Sequence, residues 1–173
     1  ASYNSGFLAG KLMSLLLCGG DNVLAIDISE NDYHIQKRVE GFLDFFKEKI
    51  GKKIPSLISS DTDSLNLVLK RLDSYFKQNS RPQGIFVPNA TTHLYAKCCN
   101  SLNIKDIKIV GYDSVPENIQ CLKTGMIDFI ISQRPEYQGA EALQNLFRSL
   151  MLQIDVPKKI DVPIDIITRE NLP

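Results

Sequence analysis

Asp113 ends the apolar run Ile109-Val110-Gly111-Tyr112, and a helix-start signal, Ser114-Val115-Pro116, follows at once. A carboxylate in that place can cap the next helix, act as a base, accept a phosphoryl group or hook a ligand. Polar residues end other apolar runs too: Asp27-Ile28-Ser29, Ser59-Ser60-Asp61, Pro88-Asn89 and Ser132-Gln133-Arg134. Missing partners set several chemistries aside. No GxGxxG follows an apolar run and no GxxxxGK[ST] occurs, which argues against a nucleotide phosphate site. No GxSxG nucleophile elbow is present. The two histidines, His34 and His93, fall early in helical patterns, where surface or capping roles are expected. Asp27 could be a receiver-type phosphoacceptor, but the acidic pair expected at the end of an earlier strand is absent. Cys18, Cys98, Cys99 and Cys121 show no CxxC pair or Cys/His ligand spacing. Buried free thiols in a reducing compartment are expected rather than a zinc site. No cofactor and no metal are expected, and the chain is not expected to be an enzyme.

Polyol recognition needs a different set. A carboxylate bridges adjacent hydroxyls, an amide both gives and takes a hydrogen bond, and a guanidinium supplies a fork of donors. Asp113, Asn89, Gln133 and Arg38 provide that chemistry. Tyr112, Phe86 and Tyr137 are nearby rings for the apolar face of a sugar, although most should be core. Each polar residue also has a plain structural role open to it. Asp113 and Asn89 can cap helices, Gln133 can sit in a loop, and Arg38 can be a solvated helix charge.

The elements that must position these residues alternate regularly. Helical patterns span about 2–18, 32–50, 64–78, 90–102, 115–124 and 135–152, with Ser2 or Asn4 as a first cap and Asp32 opening the second helix. Between them lie short apolar runs, NVLAIDI, IPSLIS, GIFVP, IKIVGYD and DFIIS, and a Pro-punctuated tail holds one more. Such alternation implies βαβ units and an α/β fold: a three-layer sandwich around a parallel sheet of about five or six strands. In such sheets function gathers at the carboxyl ends of the strands. Asn89, Asp113 and Gln133 would then project toward one edge.

The chain has 173 residues, 43% hydrophobic and 23% charged, enough for one domain with an ordinary core. Lys+Arg and Asp+Glu both number 20, so no basic excess favours nucleic acid. No apolar run reaches the roughly 18 residues of a membrane span. FLAGKLMSLLLCGG is short, carries Lys11 in its middle, and reads as an amphipathic helix.

Several segments together resemble the lactose-repressor family and its relatives, the periplasmic sugar-binding proteins of the ribose-binding type. VGYDSVPENIQ resembles the family's VGYDD or VGFD segment, and GIFVPNATTHLYA its strand and NDxxAxG helix. MIDFIISQRPEYQG resembles IxATIAQxPxxxG, IQKRVEGFLDFFKE resembles xxxRxxGFxxAL, and VPIDIITREN resembles PVxLVTREN. The resemblance implies ligand contacts from Arg38, Asn89, Asp113 and Gln133. Ala90 departs from the family's Asp after the asparagine, and Ser114 from the second Asp of many repressors.

The resemblance further implies a type I periplasmic binding protein-like lobe cut from a two-lobe protein. Residues 1–20 are expected to be the last helix of a truncated amino-terminal lobe, 21–132 the carboxyl-terminal lobe, and 133–173 a helix and strand returning to the missing lobe. The expected function is the effector region of a cytoplasmic, sugar-responsive transcriptional regulator. Its partners would be a small carbohydrate and, through a helix-turn-helix absent from this chain, DNA. The alternative is a periplasmic sugar-binding protein or the sensor portion of a membrane receptor. With apolar faces left uncovered, a homodimer is expected.

Overall fold

The computed structural model describes residues 2–172 except 19, 21, 29–31, 50 and 61. Ser29 and Asp61, named above at the ends of apolar runs, lie outside the described residues, as does residue 50 at the end of the second expected helix.

Six strands form one sheet in the order β2-β1-β3-β4-β5-β6. They are β1 (Val23–Ile28), β2 (Ser56–Ser59), β3 (Gly84–Phe86), β4 (Lys108–Tyr112), β5 (Phe129–Ser132) and β6 (Asp165–Ile167). The first five pair in parallel. The helices are α1 (Ser2–Leu16), α2 (Tyr33–Lys49), α3 (Leu65–Gln78), α4 (Thr92–Ser101), α5 (Pro116–Lys123) and α6 (Pro135–Met151). None of the described helices is long and apolar enough to cross a membrane.

The near-continuous apolar strands are explained by cover on both faces. Val23 and Ala25 of β1 turn to a layer made by α1 and α2, with Phe42, Phe86, Val110, Tyr112 and Ile131. Leu24, Ile26 and Ile28 turn the other way, to Val68 and Leu72 of α3 and Tyr95 and Cys98 of α4. Cys121 and Leu122 of α5 close that second layer over Ile109 and Ile130. The expected three-layer α/β sandwich is the architecture found.

Four details differ from the sequence reading. First, α1 is not left with an unburied face: Ala9, Leu12 and Met13 enter the core beside α2. Glycines allow the approach, since a Cβ on Gly6 would overlap the Arg38 carbonyl and one on Gly41 the Tyr3 carbonyl. Second, Ser2 and Asn4 both lie within α1 rather than before it, and Ser2 Oγ meets His34 Nδ1 at 3.0 Å. Third, β6 adds an antiparallel edge to an otherwise parallel sheet. It pairs antiparallel with β5, Ser132 opposite Asp165, because the chain departs and re-enters at the same edge of the sheet. Fourth, Cys18 is exposed, while Cys98, Cys99 and Cys121 are buried and unbridged. Burial pushes the Cys99 thiol up to about 12, which keeps it protonated and unreactive.

The helix α6 meets the expectation of an uncovered face. None of its residues is buried, and Leu143, Leu146, Phe147, Leu150 and Met151 form an exposed apolar stripe.

Candidate ligand site at the strand ends

Arg38 lies on the second turn of α2, which Asp32 opens by accepting from His34 N at 2.7 Å and Ile35 N at 3.2 Å. Those amides hold the Asp32 carboxyl below its usual value. One turn after Arg38 comes Phe42, and the two side chains land on adjacent strands. Phe42 stacks on Phe86 of β3 at 4.1 Å with rings 6° apart, and the Arg38 guanidinium lies 4.3 Å over the Tyr112 ring of β4. Phe86 and Tyr112 are fully buried, so neither can stack on a sugar. Tyr112 instead serves as the platform for Arg38. Its hydroxyl donates to Ser5 Oγ at 2.8 Å, and burial raises its pKa to about 12, so the ring stays neutral beneath the cation. Tyr137, the third ring considered, is 45% exposed on α6.

Arg38 is 6% exposed. Its Nη1 donates to the Pro88 carbonyl at 2.7 Å, yet Nε is buried without a partner among the described residues. No carboxylate pairs with Arg38 among the described residues. A buried cation so placed is costly unless an acceptor arrives. It is therefore not the solvated helix charge that its sequence position allowed.

Asp113 occupies the turn after β4 with φ at 65°, a left-handed conformation that Asp tolerates better than most residues. Its carboxylate does not cap α5: the cap position is Val115, with no side-chain bond. Instead Asp113 Oδ1 accepts from Gln133 Nε2 at 3.0 Å. The carboxylate orients that amide, because an amide oxygen there would face another oxygen. Asn89 is buried, and its Oδ1 accepts from Thr91 N at 3.1 Å and Thr91 Oγ1 at 2.7 Å. That turn delays α4 to Thr92, two residues later than expected. Asn89 therefore keeps only Nδ2 for a ligand and can give but not take.

The four sequence-chosen residues thus form a connected set rather than one open cup. Arg38 and Gln133 line a cavity of about 370 Å³ with Ser5, Asp32, His34 and Gln138, closed on one side by the returning segment near 160–164. Asp113 joins through Gln133, and Asn89 adjoins the Pro88 carbonyl that holds Arg38. The uncommitted groups are donors on Arg38 and Asn89 and acceptors on Asp113 and Gln133. A guanidinium with carboxylates around it, Asp32 on the cavity wall and Asp113 through Gln133, suits a ligand with adjacent hydroxyls. The sequence reading missed Ser5, which lies under Tyr112, and Asn118, which is fully buried at the start of α5. Asn118 was signalled by its spacing: it shares an i, i+3, i+4 register with buried Cys121 and Leu122.

The fold belongs to a known class. A family model described as a periplasmic binding protein domain matches residues 1–151. The chain belongs to the periplasmic binding protein domain family.

Among curated proteins it is similar to the xylose/arabinose-binding protein XylF of Sulfolobus acidocaldarius, 26% identical over 180 residues, which cover 98% of this chain and 43% of that protein. Among solved structures it resembles a LacI transcriptional regulator structure from Bacteroides fragilis, with a TM-score of 0.87, 24% identity and coverage of 98% and 60%. It is also similar to GanP, a glucose-galactose binding protein from Geobacillus stearothermophilus, with a TM-score of 0.85, 24% identity and coverage of 99% and 61%. The chain spans less than two thirds of each of these proteins.

Proposed function

We propose that this chain builds one wall of a cleft that binds a monosaccharide or related small polyol, the other wall coming from a second lobe outside it. The observation that carries the reading is Arg38: a buried guanidinium on a neutral ring, with Nε unpartnered and no carboxylate in ion-pair contact among the described residues. A sugar oxygen satisfies Nε, while neighbouring hydroxyls donate to Asp113 and Gln133. Likeness to a xylose/arabinose-binding protein supports the carbohydrate class.

The finer reading is the effector region of a sugar-responsive transcriptional regulator in the cytoplasm. Sugar closes two lobes and alters DNA contacts made by a helix-turn-helix elsewhere in the protein, a population shift driven by contacts made only in the closed state. The three buried, unbridged thiols and the likeness to the Bacteroides fragilis structure support it. The second reading, a binding protein serving transport or a receptor, is favoured by the name of the curated relative. Operator-style DNA binding by the full-length protein, released or strengthened by sugar, separates the two.

Asp113→Asn tests the site itself. Asn keeps the left-handed turn but loses the anionic acceptor. The full-length protein should lose its sugar response by about tenfold or more in affinity while melting within a few degrees of wild type. A large drop in Tm with affinity intact would return Asp113 to a structural role.

A further inference from the structure

Asn118 has no exposed surface, and every polar atom of its amide is engaged. Its Nδ2 lies within hydrogen-bond distance of three carbonyls, Ala90 O at 3.0 Å, Tyr112 O at 2.9 Å and Asp113 O at 2.9 Å, which share its two hydrogens. Its Oδ1 accepts from His93 N at 2.8 Å and lies 3.1 Å from His93 Nδ1. Carbonyls cannot donate, so the amide has one possible orientation. Oδ1 can only accept, so a hydrogen bond from the His93 ring to it requires the tautomer with the proton on Nδ1.

These contacts link two turns that are about 25 residues apart in sequence. One, after β3, carries Asn89. The other, after β4, carries Asp113 in its left-handed conformation. Neither α4 nor α5 has a side-chain bond at its own cap position. Asn118 supplies the missing acceptor for His93 N of α4 and at the same time grips the Asp113 carbonyl. A fully satisfied buried amide is a stiff connector, and a half-satisfied one is worse than none.

We propose that Asn118 is a positioning residue of the ligand site, setting the separation of Asn89 and Asp113 and thereby which hydroxyls a bound polyol must present; this rests on the carbohydrate reading above. Asn118→Asp keeps the shape and the acceptor for His93 but places oxygens against three carbonyls. Asn118→Ser serves in its place if that variant does not fold. Thr124→Ala, which removes bonds only to Gln120 O and Cys121 O within α5, is the control.

Full-length proteins would be titrated by calorimetry with D-xylose, D-arabinose, D-ribose, D-glucose and D-galactose, at a temperature where circular dichroism shows each folded. The Asn118 variant should lose about tenfold in affinity and change the ranking of the sugars, and the control neither. Hydrogen exchange should rise together at residues 90–92 and 112–114 and stay unchanged in β1 and β2. Unchanged affinity and ranking despite loosened turns overturns the proposal, as does exchange that rises uniformly. If wild type binds none of these sugars, the carbohydrate reading fails, and the exchange pattern alone decides whether Asn118 couples the turns. Nitrogen NMR of wild-type His93 must find the proton on Nδ1, and a bare Nδ1 would also defeat the geometry.

Discussion

Among the described residues, Arg38 Nε is a buried polar atom left without a hydrogen-bond partner. Its burial costs solvation, and a π face and one carbonyl return only part of it. Replacing a buried ion with an apolar residue of similar length is often neutral for stability. Arg38→Met should therefore change unfolding free energy by less than about 1 kcal/mol while abolishing stabilisation by sugar, read from thermal melts with and without ligand. A strongly destabilised variant that still melts higher with sugar would contradict this. The sequence named Arg38 as a donor but could not show that Tyr112 lies beneath it. A tyrosine next to an aspartate reads equally as a sugar platform or as core. Strand alternation decides, sending Tyr112 into the α1–α2 layer.

At the scale of elements, the site depends on how closely α1 and α2 cross. Gly41 lies one turn from Arg38 on α2, against the α1 backbone at Tyr3 and Phe7. Gly41→Ala forces the helices apart and should cost about 2 kcal/mol or more in urea unfolding, with the m-value unchanged. Its helix propensity gain is only about 1 kcal/mol and does not offset the clash. The other sensitive junction is where the chain leaves and rejoins the sheet. Arg134, left-handed with φ at 52°, donates from Nε to Asp165 Oδ2 at 2.7 Å and from Nη2 to Asp165 Oδ1 at 2.5 Å. That pairing holds the Asp165 carboxyl below its ordinary value. A carboxyl lowered on folding contributes stability above its unfolded pKa, and the contribution disappears as pH falls through the lower folded value. Asp165→Asn should thus melt below wild type at neutral pH, and the difference should vanish well below pH 3.8. Equal differences at both pH values would mean that the pair does not latch β6.

At the scale of the whole molecule, α6 leaves Leu143, Leu146, Phe147, Leu150 and Met151 between 55% and 70% exposed. Solvated apolar stripes of that extent associate. As a separate polypeptide, these 173 residues should self-associate with rising concentration, measured by light scattering, and changing Leu143, Leu146 and Leu150 to Ser should leave monomer. A monomer throughout, before any change, would defeat the expectation. The same polypeptide should bind sugar weakly, because closure needs two walls, and tight binding in calorimetry would contradict a divided cleft.

By itself the sequence determined the α/β class, the order of elements and the identity of the polar residues at the strand ends. Hydrophobic periodicity, turn residues and strand-end position are local, so a single chain read in order reveals them. Three things needed the tertiary structure. The place of α1 and the reversed β6 depend on which surfaces meet, and apolar pattern alone does not name a partner. The division of Asn89 and Gln133 into giver and taker depends on neighbours such as Thr91 and Asp113, which orient each amide. The role of Asn118 depends on carbonyls brought from distant turns, and no local pattern encodes a contact made across the fold. Asp113 shows both halves: its type and strand-end place were legible in the chain, and its freedom from capping was decided only by packing.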